Sequence, residues 1–124
     1  INQYNGEVEF VKVGAVSTFI KYEDHVDVIK VGSLPVGILK NVDMEFIRKK
    51  LNDGDFVIMV SDGILDSNQS EINKERWLAE IISDINTRNP QRMADEILNI
   101  CIEANGGTAC DDMTVMVAKI WETP

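Results

Sequence analysis

Residues 56 to 60, Phe-Val-Ile-Met-Val, form an apolar run that ends abruptly at Ser61-Asp62-Gly63. A strand with one wet face alternates apolar and polar side chains, so an unbroken run of this kind suits a strand covered on both faces. Ahead of it, Glu7 to Val13, Val16 to Tyr22, His25 to Val31 and Asp43 to Leu51 are rich in β-branched and aromatic residues and are broken by turn signals. That pattern predicts successive antiparallel strands. Asn52-Asp53-Gly54-Asp55, immediately before the run, carries the Asp-Gly signal for a tight hairpin and is assigned no chemistry.

From residue 74 the period changes to that of a helix. Trp77, Leu78, Ile81, Ile82 and Ile85 make one apolar stripe. Asn89-Pro90 then reads as an N-cap followed by proline at the first helical position, with Met93, Ala94, Ile97, Leu98 and Cys101 on the buried side. Asn105-Gly106-Gly107 is the stop signal. Met113 to Trp121 is the last strand, with apolar residues assigned to both faces. Strands, two helices and a returning strand predict an α+β fold with helices layered on an antiparallel sheet. No linker or repeat divides the chain, so residues 1–124 are read as one unit.

At 124 residues the chain can bury a core of its own. Its net charge of −9 repels a phosphate backbone, which argues against nucleic acid as a partner. An acidic chain can still receive a phosphorylated substrate if divalent cations first reverse the local field. Cys101 and Cys110 are the only cysteines and show no metal-binding or disulfide spacing, which fits a reducing, cytoplasmic setting. No apolar run approaches the roughly 20 residues needed to cross a bilayer, so no membrane contact by this chain is expected. A start at Ile1, almost directly in a strand, suggests a piece of something longer whose parent is anchored upstream or not.

Two acidic clusters stand at strand ends. Ser61-Asp62-Gly63-Ile64-Leu65-Asp66 follows the apolar run, and Asp111-Asp112-Met113-Thr114 precedes the last strand. If those strands are antiparallel neighbours, Asp62 and Asp111 meet at one edge of the sheet. Carboxylates held close repel, and a hard divalent cation with oxygen ligands removes the conflict. The competing explanation is plain: Asp-Gly is a common turn dipeptide, and acidic residues before a strand are often solvated. A calcium loop starting at Asp62 fails, because Ile64 stands at the third position, where an oxygen ligand is required.

Val60 to Asp66 resembles the Ser-Asp-Gly motif of the PPM (PP2C-like) family of metal-dependent protein serine/threonine phosphatases. Asp111 to Val115 resembles that family's late Asp-(Asn/Asp)-hydrophobic-Thr motif. Lys12 to Ile20 and Leu34 to Ile38 resemble paired strand and loop segments of its sporulation branch. The four segments stand in the family's order and cover nearly the whole chain. The resemblance implies a β-sandwich of antiparallel sheets flanked by antiparallel helices, here the carboxy-terminal half of a domain lacking its amino-terminal portion.

It also implies that Asp62 and Asp111 bind catalytic Mn2+ or Mg2+, two ions in the complete domain, which activate a water for in-line attack on phosphoserine or phosphothreonine. Asp112 and Gly63 are candidate supporting positions. Asp66 either orients the surroundings of Asp62 or caps a helix start, the cap being favoured. The implied partner is a phosphorylated anti-anti-sigma factor, whose dephosphorylation frees a sigma factor. One departure matters: the family also uses an aspartate of an earlier Asp-Gly motif, and none precedes Asp53. The chain alone is therefore expected to hold metal weakly and to hydrolyse little phosphoprotein.

Other residues have simpler explanations. His25 reads as a solvated turn residue, Cys110 as packing, and Trp77 as core. Arg48, Lys49, Lys50 and Arg76 are too scattered for a phosphate-binding patch. The alternative function is a non-catalytic regulatory or oligomerisation module, and exposed strand edges make self-association an expectation in either case.

Overall fold

The computed structural model describes residues 3–11, 17–29, 46–108 and 112–122. Its elements are β1 (Glu7–Val11), β2 (Ser17–Lys21), β3 (Val26–Ile29), β4 (Phe46–Lys50), β5 (Phe56–Val60), α1 (Asp62–Leu65), α2 (Lys74–Asp84), α3 (Pro90–Ala104) and β6 (Val115–Lys119). All strand pairs are antiparallel. β1 and β4 form a two-stranded sheet, and the second sheet runs β3-β2-β5-β6. The expected ends at residues 12, 13, 16, 30, 31 and 43–45 lie outside the described residues, as do the Lys12–Val16 and Leu34–Ile38 parts of the family-like segments.

The β5 run is central and covered on both sides. On one face Phe56, Ile58 and Val60 join Phe19 of β2 in a core with Leu78 and Ile82 of α2 and Met93, Ile97 and Cys101 of α3. On the other face Val57 packs with Ile20, Ile29 and Leu51. Leu51 follows β4, and its N–H donates to the carbonyl of Gly6 at 2.8 Å. The smaller sheet is thereby tied to the face away from the helices. Ile58, Leu78, Ile82, Met93 and Ile97 are fully buried, and each such side chain contributes about 1.5–3 kcal/mol of transfer free energy.

The helix signals act locally, as expected. The Asn89 side chain accepts from the N–H of Arg92, Pro90 opens α3, and Asn105 ends it ahead of Gly106 at φ +77°. In α2, Leu78 and Ile82 are fully buried while Trp77 and Ile81 are partly covered at the margin. Asn73 caps that helix by accepting from the N–H of Arg76.

Three expectations need correction. First, residues 52–55 do turn tightly, with the Asp55 N–H donating to the Asn52 carbonyl at 3.1 Å, yet the strands on either side are not a hairpin. β1 occupies the hydrogen-bonding edge of β4, and β5 inserts between β2 and β6 in the other sheet. The turn binds instead to the segment after β6, where Gly54 N–H donates to Ile120 O at 2.8 Å and Ile120 N–H to Asp55 O at 2.7 Å. Second, the last strand is not buried on both faces: Val115 and Val117 of β6 lean on the helical core, while Met116 is 58% exposed and Trp121, which lies beyond the end of β6, is 77% exposed. Third, Asp66 caps no helix start; it stands at the C-terminal end of α1, and Asn73 performs the capping of α2.

Candidate functional site

The site begins with the register of β5 and β6. Val60 pairs with Val115, so the exit of one strand lies beside the entry of the other. The chain leaving β5 turns at once into α1, with Ser61 at its N-cap in an extended conformation and Asp62 at the first helical position. Asp62 and Asp112 are both exposed at this rim. The expected meeting of the two acidic motifs at one sheet edge is therefore observed at the level of Asp62 and residues 112–114. Asp111 and Cys110 lie outside the described residues.

Ser61 joins the two segments. Its N–H donates to Thr114 O at 3.0 Å, and its hydroxyl accepts from Thr114 N–H at 2.9 Å and donates to Asp112 O at 3.2 Å. One residue thus extends the β-ladder beyond its last strand pair. Gly63 allows the approach: a Cβ there would lie 2.3 Å from Asp112 O and 3.5 Å from the Met113 side chain. No residue with a side chain fits at that distance without displacing one segment. At the C-terminal end of α1, the Asp66 carboxylate accepts from Lys74 Nζ at 2.7 Å.

The rim can be tested for its fit to a divalent cation. Its side-chain donors are carboxylates, which suit a hard ion such as Mg2+ or Mn2+, and the close backbone passage needs glycine at position 63. The donor types fit. Among the described residues no three carboxylate, imidazole or thiol groups are clustered to hold an ion. Further ligands would have to come from residues such as Asp111.

The other tempting residues stand elsewhere. His25 lies past Lys21, whose partner in β5 is Phe56, at the end of the strand opposite Val60. It is exposed, stacks on Tyr22 at 4.5 Å between ring centroids and hydrogen-bonds Asp24 Oδ1 at 2.6 Å, as befits a turn residue. A cleft of about 750 Å³ opens at that end among Lys21, His25, Asp55 and Arg88. Cys101 is buried, and burial raises its thiol pKa. Sequence reasoning assigned no role to the Ser61 hydroxyl or to Lys21, which donates to the carbonyls of Ile82 (2.7 Å) and Ile85 at the end of α2. Neither partner is near in sequence, so no local signal could have found them.

The family model for stage II sporulation protein E (SpoIIE) matches residues 1–121. Stage II sporulation protein E of Bacillus subtilis (strain 168) is 34% identical over 97% of this chain, which spans 14% of that protein. The structure of the PP2C phosphatase domain and a fragment of the regulatory domain of the cell fate determinant SpoIIE from Bacillus subtilis superimposes with a TM-score of 0.85. It shares 34% identity, covering 94% of this chain and 34% of the other. The Mn-presoaked phosphatase domain of the same protein gives a TM-score of 0.85 at 32% identity over 100% of this chain and 56% of the other.

Proposed function

Because this chain belongs to the stage II sporulation protein E family and has the PP2C phosphatase-domain fold, we propose that it forms the carboxy-terminal half of a metal-dependent protein serine/threonine phosphatase domain. Asp62 and Asp111 are its metal ligands in this reading, and Asp112, Gly63 and Asp66 surround them. The observation that carries it is the Val60–Val115 register, which sets the Ser-Asp-Gly turn beside residues 112–114. Mn2+ or Mg2+ is the proposed ion, a choice supported by the carboxylate donors and by the manganese soak of the relative.

Such ions supply Lewis acidity, lowering the pKa of water and neutralising charge on the phosphoryl group. The protein's own part is placement. Asp62 presents a carboxylate at the mouth of a central strand, Gly63 keeps the neighbouring backbone within reach, and Lys74 balances Asp66. With a net charge of −9, the chain depends on bound cations to accept a phosphorylated partner. The proposed substrate is phosphoserine on an anti-anti-sigma factor, in a cytoplasmic setting. No helix among the described residues is long and apolar enough to cross a membrane.

The experiment compares the complete domain, amino-terminal portion included, with its Asp62→Asn variant. Mn2+ binding followed by electron paramagnetic resonance and hydrolysis of a phosphoserine peptide should both fall, by more than about 100-fold, beyond the usual effect of losing an outer partner of a metal ligand. The isolated 124-residue chain should show little turnover. Equal binding and turnover in parent and variant would remove Asp62 as a metal ligand, and a complete domain that neither binds Mn2+ nor hydrolyses the peptide would overturn the assignment in favour of a non-catalytic module.

A further inference from the structure

We infer that the Ser61 hydroxyl is a positioning group for the proposed metal site: it fixes the distance between Asp62 and the 112–114 segment. The inference rests on the metal-site reading above and adds a residue to it. A serine hydroxyl offers one donor and two acceptor sites. Here one donor and one acceptor are used, both on the same foreign segment, since it accepts from Thr114 N–H and donates to Asp112 O. The Ser61 backbone N–H adds a third bond to Thr114 O.

The placement of these bonds gives the hydroxyl its importance. The β5–β6 strand pairing ends at Val60 and Val115, and beyond that pair the bonds made by Ser61 continue the connection. Asp62 follows Ser61 directly, and Asp112 is the residue whose carbonyl the hydroxyl engages. On the other side of Asp62, the Gly63 backbone is already in contact with that same carbonyl. Asp62 thus sits between two points fixed to the 112–114 segment. Removing the hydroxyl takes away two of the three bonds at the Ser61 point and loosens it, while the Ser61 N–H bond and the β-ladder keep the fold.

Binding of a divalent cation to both segments requires their separation to be set in advance, and a positioning group of this kind is worth about 10–100-fold in metal affinity. The experiment measures Mn2+ affinity of the complete domain by electron paramagnetic resonance for the parent, Ser61→Ala, Ser61→Thr, Asp62→Asn and Ile97→Val. Ser61→Ala should weaken binding about 10-fold, and Ser61→Thr, which restores the hydroxyl, should return it to within about 3-fold of the parent. Ile97→Val, a core change remote from the rim, should lower stability without changing affinity. Parent-like affinity in Ser61→Ala alongside weak binding in Asp62→Asn would overturn the positioning role and leave the metal site intact. Parent-like affinity in both would overturn the metal site itself. An equal loss in Ile97→Val would show that stability alone sets affinity, and the positioning role would fall.

Discussion

Gly63 and Asp112 are in direct backbone contact: a Cβ on Gly63 would lie 2.3 Å from the Asp112 carbonyl oxygen. Their contact joins the turn after β5 to the approach to β6, although 49 positions separate them in the sequence, from 63 to 112. Gly63→Ala should therefore push the two segments apart. An overpacked contact of this kind costs about 1–3 kcal/mol, read as a lower urea midpoint with an unchanged slope. A midpoint equal to the parent's would show that the segments part freely.

Lys21 reaches from β2 to the end of α2, where its ammonium donates to the carbonyls of Ile82 and Ile85. Both carbonyls lie at the C-terminal end of α2, where Ile82 O also accepts from the Ile85 N–H at 3.3 Å, and a cation there complements the helix dipole. Burial draws the Lys21 pKa below its ordinary value, with Asp84 partly restoring it. Lys21→Met keeps the aliphatic stem and removes the donors. A loss of about 1–3 kcal/mol is expected in chemical denaturation. No loss would mean that water serves the two carbonyls equally well.

Folding raises the His25 pKa above its ordinary 6.5, chiefly through the hydrogen bond to Asp24, with weaker pulls from the charges of Asp24, Asp27 and Asp55 against some desolvation. A raised imidazole pKa contributes stability that is fully present below about pH 6.5 and is lost as pH rises through the folded value. Asp24→Asn should lower the His25 midpoint in an NMR titration and flatten that part of the pH profile. Identical midpoints in parent and variant would remove Asp24 as the cause.

β6 is an edge strand of its sheet among the described residues, and Met116 on it is 58% exposed. Unprotected edges invite pairing between copies. The 124-residue chain should associate with rising concentration in sedimentation velocity, and Met116→Lys should shift it toward monomer. A parent that stays monomeric at high concentration would defeat this expectation.

Features that depend on neighbours in the chain were readable from the sequence. Asn89-Pro90 starts α3 and Asn105 with its two glycines ends it, because caps and stops act through adjacent backbone groups. The unbroken apolar run of β5 revealed its central place, and the helical stripes revealed Leu78, Ile82, Met93 and Ile97 as core. The family motifs around Asp62 and Asp111 were likewise visible as strings of residues. Tertiary structure alone decided that the Asp53-Gly54 turn passes the chain from one sheet to another, since β-ladder partners are chosen by competition among distant strands. It alone set Ser61 against Thr114 and Asp112, and Lys21 against α2, because a hydroxyl or ammonium carries no mark of which remote carbonyl it will reach. It also left Met116 and Trp121 exposed: hydrophobicity favours burial, but the layers actually packed against a strand determine which of its faces receives it.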